Sequence, residues 1–146
     1  GTLDGAEHVV ADGSREEVFA DGWEAVEQDE QGGFRWALSR RAHVLTPMAL
    51  VSDIRVSVRA RRPPGAGIGD AIGLVVNGRP YPPVAMVDGW GTYAWNVARD
   101  AWREGVNDVA VESARLTQPP DQTSDARLLG VAVRELVFRV VDPLAR

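Results

Sequence analysis

The chain has 146 residues, of which 45% are hydrophobic and 25% are charged. These values are typical of one globular domain with a sizeable core. The formal net charge of −5 at neutral pH argues against nucleic acid as a ligand, because phosphate binding requires a concentrated positive field. The absence of cysteine excludes disulfide frameworks and thiolate metal sites.

All 16 basic residues are arginine. A GC-rich coding bias explains the lack of lysine more simply than a demand for planar guanidinium contacts. The sequence contains no run of 18 apolar residues that would predict a membrane-spanning segment, and no signal peptide is visible in it. We expect residues 1–146 to form a single β-sandwich domain taken from a larger protein.

Strand signals begin near the amino terminus, where residues 8–10 predict a first edge strand. A second strand is predicted at residues 34–38, because alternate positions place three apolar side chains on one face, namely Phe34, Trp36 and Leu38.

The clearest alternation lies at residues 52–61, where apolar side chains alternate with polar ones. This pattern predicts an antiparallel strand with one face in the core and one in water. The outward basic stripe is most simply a solvated face paired with nearby acids. The alternative is a contact for acidic glycans, lipid headgroups or an acidic neighbouring domain, made by Arg55, Arg59 and Arg61.

A β-hairpin is predicted where an alternating run ends in Asn77 and Gly78, a pair that tolerates positive φ. The prolines that follow confine the next segment to a sheet edge or a loop. An alternating run at residues 93–97 predicts a strand, and a short helical turn is predicted at residues 100–104. A second alternating run follows at residues 105–111.

The last strand is predicted to contain a β-bulge. In a regular strand, Val131 and Val133 would point to one face and Leu136 to the opposite face. One extra residue near Arg134 and Glu135 would return all the apolar side chains to the inward face.

Three segments carry a resemblance to a known family. They are the run LVVNG with the later WGTYAWNV and EGVNDVAV, the segment GWEAVEQDEQGGFRWALSRRA, and the run DARLLGVAV. The first resembles the galactose-binding-like jelly roll of many carbohydrate-binding modules and of sugar-binding domains attached to glycosidases. The other two resemble sandwich domains appended to bacterial cell-envelope glycosyltransferases. The resemblance implies an all-β fold, an antiparallel two-sheet β-sandwich.

Sugar recognition combines an aromatic platform with planar polar side chains. The alternation of their strands places Trp36 and Trp95 in the core. Trp23, Trp90 and Trp102 follow loops or lie in a turn, and we expect them to be partly exposed.

The resemblance also implies a charged cluster, in which Glu27 and Asp125 would pair with Arg35 and Arg127. Its simplest interpretation is a structural ion-pair network that pins loops to the sandwich. The alternative is a binding patch for a sugar or a protein partner. The predicted ligand-binding residues are Trp23, Glu27, Arg35, Trp90, Asp125 and Arg127.

Catalysis has little support in the sequence. The acidic run that includes Glu24, Glu27, Asp29 and Glu30 is typical of a solvated loop, and no nucleophile, phosphate-binding or metalloprotease motif is present. No metal or cofactor is predicted. The resemblance allows a structural Ca²⁺, but its candidate ligands match no fixed-spacing loop, namely Asp12, Glu16, Glu17 and Asp142.

We therefore predict a non-catalytic, carbohydrate-binding accessory domain of a cell-envelope or glycan-processing protein. Its expected location is extracytoplasmic or associated with the cell envelope, and its expected partners are a glycan and the neighbouring domains of the parent protein. One alternative is a structural or protein-interaction sandwich without a sugar site. A second is a small glycan hydrolase, which would need two acids facing each other across a pocket.

Overall fold

A computed structural model describes residues 6–11, 18–48, 51–63, 70–118 and 127–141. In these ranges the chain forms ten β-strands and a short 3₁₀ helix, Arg99–Ala101. The strands are β1 (Ala6–Val10), β2 (Glu27–Asp29), β3 (Gly32–Trp36), β4 (Arg41–Met48), β5 (Ile54–Arg61), β6 (Ala71–Val76), β7 (Arg79–Ala85), β8 (Trp90–Val97), β9 (Gly105–Ser113) and β10 (Ala132–Val140).

The strands form two sheets in which the described pairings are all antiparallel. The larger sheet has the order β2-β3-β10-β5-β8, with β1 also paired to β10. The smaller sheet has the order β4-β9-β6-β7. The predicted all-β sandwich is therefore confirmed. No helix in the described ranges is long and apolar enough to cross a membrane.

The core lies between the two sheets and is built from alternate residues of their strands. Ile54, Val56 and Val58 of β5 are buried in it together with side chains of β6 and β9, as the alternation predicts. Removal of this apolar surface from water provides the main driving force for folding. The outward side chains of β5 are exposed or half-buried.

The predicted β-bulge is confirmed in β10. Its register against β5 shifts between Val133 and Glu135. Val133 and Leu136 both lie in the core on either side of the shift. The bulge leaves Arg134 as the extra residue, with no partner in the ladder to β5.

The β6–β7 hairpin also follows the prediction. Asn77 and Gly78 form its turn with φ values of 48° and 85°, which suits a tight turn between twisted strands. β7 is an edge strand, as its three prolines predict.

The predicted exposure of Trp102 is wrong, since its side chain is only 5% exposed. Its ring centroid lies 6.3 Å from that of Phe138, and its Nε1 donates to the carbonyl oxygen of Val97 at 3.3 Å. The helical turn predicted at residues 100–104 is shorter and earlier, at Arg99–Ala101. This early ending turns Trp102 into the core, where Trp95 also lies as predicted.

Phe34 and Trp36 are buried, but outside the main core. They form a second cluster with Leu129 and Ala132. Ala132 lies across from Trp36 in the β3–β10 ladder, whereas the next residue of β10 points into the main core. The second cluster therefore covers the outer face of the larger sheet.

Candidate functional site

Arg127 joins two acidic side chains at one end of the larger sheet. Its Nη1 lies 3.2 Å from Oε2 of Glu24 and 3.9 Å from Oε2 of Glu27. The structure thus brings Arg127 and Glu27 together, as the resemblance implies. The nearer partner, Glu24, was not among the predicted site residues. Asp125, the fourth member of the predicted network, lies outside the described residues.

Arg35 supports this group from inside the sandwich. It lies across from Val133, which faces the core, and it is 3% exposed. Its guanidinium carbon lies 5.0 Å from the ring centroid of Phe19, and its Nη1 donates to the backbone oxygen of Glu24 at 3.4 Å. Arg35 therefore holds the Glu24 segment in place and does not face solvent.

Trp23 is half-buried next to the same segment. Its Nε1 donates to the carbonyl oxygen of His43 at 2.8 Å. Its ring meets that of Phe19 edge to face, with 5.4 Å between the centroids. These contacts fix the loop tryptophan against the main core, and the rest of its surface is accessible to solvent.

Trp90 has a cation against its ring. The guanidinium carbon of Arg134 lies 4.2 Å from the Trp90 centroid and 5.5 Å from that of Phe34. Arg134 is 7% exposed, and it forms an ion pair with Asp29 and donates to the carbonyl oxygen of Gly32. Cation–π contacts of this kind strengthen when they are desolvated, so Arg134 fixes the orientation of the half-buried indole.

Sequence reasoning did not identify Arg134 as a site residue, although it predicted the bulge that contains it. A bulge re-aims one side chain away from the regular alternation. The signal was therefore present, and an arginine at the bulge position near Trp90 could have been found from it.

The ion pairs of Arg127 and Arg134 are connected through the β2–β3 hairpin. Glu27 lies across from Phe34 in its ladder, and Asp29 is two residues further along β2 on the same side. We call this region the Trp90 corner, defined by Glu24, Glu27, Asp29, Trp90, Arg127 and Arg134.

Asp29 does not suit the role of a general acid. Desolvation raises the pKa of Asp29, but the Gln31 N–H and the hydrogen bond and charge of Arg134 outweigh it, so the pKa falls below its ordinary value. A general acid requires the opposite shift. Glu24 and Glu27 both contact the cation of Arg127. The arrangement therefore offers hydrogen-bonding groups that can hold hydroxyls.

Replacing Asp29 with asparagine is expected to weaken the dependence of stability on acid pH. A carboxyl group with a lowered native pKa stabilises the fold at pH values above its unfolded pKa of about 4. This contribution is lost as pH falls through the native value. Urea midpoints measured from neutral pH down to strong acid should therefore converge for wild type and Asp29→Asn. An unchanged difference between the two across that range would contradict the prediction.

The Arg134→Met background provides the control for this measurement. Because Arg134 is a main source of the lowered pKa, Asp29→Asn should change the acid dependence less in that background than in wild type.

The side chains considered as candidate Ca²⁺ ligands lie outside the described residues, namely Asp12, Glu16, Glu17 and Asp142. Within the described ranges, no group of three or more histidine, aspartate or glutamate side chains is placed to hold a metal ion.

A cavity of about 380 Å³ lies at the other end of the larger sheet, where β5 begins and β8 ends. Its lining includes Asp53, Asn96 and Val141. None of the described site residues predicted from the sequence lines it, so the Trp90 corner and this cavity are separate features.

Comparison with known proteins places the fold. No family model matches the chain, and no curated protein sequence matches it. The GH26-CBM35 β-(1,4)-mannanase of Podospora anserina is 14% identical, with a TM-score of 0.60 over 96% of this chain and 28% of that one. A CBM36 domain of a xylanase from the hindgut metagenome of Trinervitermes trinervoides is 10% identical, with a TM-score of 0.57 over 94% of this chain and 98% of that one.

A third solved structure is a carbohydrate-binding module of Cellvibrio mixtus lichenase 5A in complex with cellotriose. It is 10% identical, with a TM-score of 0.55 over 93% of this chain and 98% of that one. At these identities the likeness concerns the fold. The chain therefore has the galactose-binding-like, jelly-roll β-sandwich fold that carbohydrate-binding modules have.

Proposed function

We propose that this chain is a non-catalytic carbohydrate-binding accessory domain of a glycan-processing or cell-envelope protein, and that it binds its glycan at the Trp90 corner. The observation that carries the proposal is the half-buried indole of Trp90, whose ring lies against the buried guanidinium of Arg134. An oriented aromatic ring covers the apolar face of a sugar, while neighbouring charged groups bind its hydroxyls.

The polar surroundings of the ring suit this role. Arg127 is held between Glu24 and Glu27, so donors and acceptors are fixed side by side. Among the residues that the structure describes, two buried polar atoms at the corner have no hydrogen-bond partner: Oε2 of Glu27 and Nε of Arg134. Buried polar groups are nearly always satisfied by protein or water, so each of these two atoms is suited to an ordered water.

The folds compared above agree with this function at the level of class. Two of the three are carbohydrate-binding domains in their own right, and one is in complex with cellotriose. An accessory domain of this kind acts beside a catalytic or membrane-bound neighbour. We accordingly propose an extracytoplasmic or cell-envelope location, with the neighbouring domains of the parent protein as further partners.

Trp90→Ala is expected to weaken glycan binding at least about tenfold, or about 1.4 kcal/mol, because it removes the stacking platform. The measurement is isothermal titration calorimetry with mannan, xylan and cellotriose as probes. The matched control is Tyr81→Ala, which removes a half-buried aromatic ring from the smaller sheet and should leave the affinity unchanged. Circular dichroism spectra establish that both variants are folded.

The proposal fails if wild type binds none of a broad panel of neutral and acidic polysaccharides, or if Trp90→Ala binds as tightly as wild type. The same experiment tests the second candidate, a structural or protein-interaction sandwich. One observation favours that candidate: Arg127 and Arg134 are each paired with acids of their own chain. It predicts that Trp90→Ala lowers the melting temperature while no polysaccharide binds.

A further inference from the structure

The outer face of the larger sheet carries a row of arginines on an acidic protein. Outward positions of β5 contain Arg55, Arg59 and Arg61, and β10 adds Arg139. Among the outward side chains of β5, β8 and β10, strands that the structure describes throughout, one is acidic. It is Glu135, which lies directly across from Arg59 and whose Oε2 is 3.0 Å from Nδ1 of His8. These three strands therefore present more arginines than acids on this face, although the net charge of the chain is −5.

The register of the sheet concentrates this charge. Arg139 lies directly across from Arg55 on the same face, and like charges in opposite positions destabilise a sheet. The register therefore places two guanidinium groups side by side on this face.

Each arginine of β5 has an uncharged partner across it on β8. Asn96 lies across from Arg55 and accepts a hydrogen bond from it at 3.1 Å. Thr92 lies across from Arg59 and accepts one at 3.5 Å. The third partner, across from Arg61, is Trp90. A cation next to a hydroxyl, an amide or an aromatic ring thus recurs along the strand.

We propose that this arginine row binds an anionic polysaccharide, one that carries carboxylate or sulfate groups, and that the polymer extends from the Trp90 corner along β5. The inference rests on the proposed function, because Trp90 belongs to both surfaces. Guanidinium groups bind carboxylates and tetrahedral oxyanions through paired hydrogen bonds. The row from position 55 to position 61 is about 20 Å long, enough for several consecutive sugar rings.

A lipid surface fits this face less well. Proteins that lie on membranes insert apolar side chains between the headgroups. Among the described residues, none of the most exposed large apolar side chains is an outward residue of β5 or β8, where the aromatic residue is the partly buried Trp90. The uncharged hydrogen-bonding groups between the arginines match the hydroxyls of a sugar chain instead.

The test compares two polymers with one backbone, polygalacturonate and its methyl-esterified form, by calorimetry at low and at physiological salt. Wild type should bind polygalacturonate at least about tenfold more tightly than the ester at low salt, with the difference shrinking as salt screens the charges. The difference should disappear in the triple variant Arg55→Gln, Arg59→Gln, Arg61→Gln.

The control is the triple variant Arg41→Gln, Arg79→Gln, Arg103→Gln, which replaces exposed arginines on other surfaces. Its net charge equals that of the β5 triple, and it should keep the preference of wild type for polygalacturonate. Thermal melts establish folding. If the β5 triple does not fold, the exposed single variant Arg61→Gln replaces it and should reduce the preference.

Equal binding of the two polymers by wild type, or an unchanged preference in the β5 triple, would overturn the inference. Either result leaves the proposed function standing as long as a neutral glycan binds through Trp90. Tighter binding to vesicles containing phosphatidylserine than to polygalacturonate, abolished in the β5 triple, would also overturn it in favour of a lipid surface.

Discussion

Replacing Leu136 with alanine is expected to lower the free energy of unfolding by about 3 kcal/mol. Leu136 lies in the core immediately after the bulge of β10, and its side chain is fully buried. β10 is the central strand of the larger sheet, paired with β5 on one side and with β1 and β3 on the other. Neighbouring strands on both sides leave the cavity little room to collapse, so its cost stays high. Urea denaturation with a two-state fit measures the change.

Val140→Ala in the same strand is the matched control. Val140 is 50% exposed, and truncating it should change the free energy of unfolding by about 0.5 kcal/mol or less. A loss in Leu136→Ala no larger than that of the control would contradict the described packing of β10 against the smaller sheet.

Asn107→Ala is also expected to cost about 3 kcal/mol, because a buried polar network loses its centre. The Oδ1 of Asn107 accepts from the Arg103 backbone N–H at 2.9 Å and from the Asn77 side chain at 2.8 Å. Its Nδ2 donates to the carbonyl oxygens of Arg103 and Gly105 at 2.9 and 3.2 Å. Alanine would remove these four bonds, which are made by a side chain with no exposed surface.

Two further variants sharpen this prediction. Asn107→Asp keeps the size of the side chain but can no longer donate to two carbonyl oxygens, so it should be destabilised about as much as Asn107→Ala. Asn96→Ala removes an exposed amide of β8 and should change stability by about 0.5 kcal/mol or less. Full stability of the aspartate variant would contradict the donor role of Asn107.

The sequence was sufficient for the fold because alternation is a strong signal where one sheet face is buried. It predicted the strand at β5, the hairpin at Asn77 and Gly78, and the bulge of β10, where the apolar parity changes. It could not predict the burial of Trp102. That side chain follows a 3₁₀ helix of three residues, which is too short to show periodicity.

The candidate site was harder to predict because both faces of β3 are covered. Alternation correctly placed Phe34 and Trp36 on one face, but it could not say that this face is the outer one. Periodicity would place Arg35 in water, whereas the structure buries it beside Phe19. Glu24 joins the site through a loop, and the spacing of residues in a single sequence does not reveal such a contact. The bulge that displaces Arg134 was visible in the sequence, since the apolar parity changes there.

The proline-rich strand β7 has a consequence for how copies of this protein behave when crowded. Strand β7 is the outer edge of the smaller sheet, and residues 80, 82 and 83 have no N–H to offer an incoming strand. The carbonyl of Pro82 is already engaged by the Trp95 indole at 2.8 Å. Copies gathered on one polymer are therefore not expected to join edge to edge through β7.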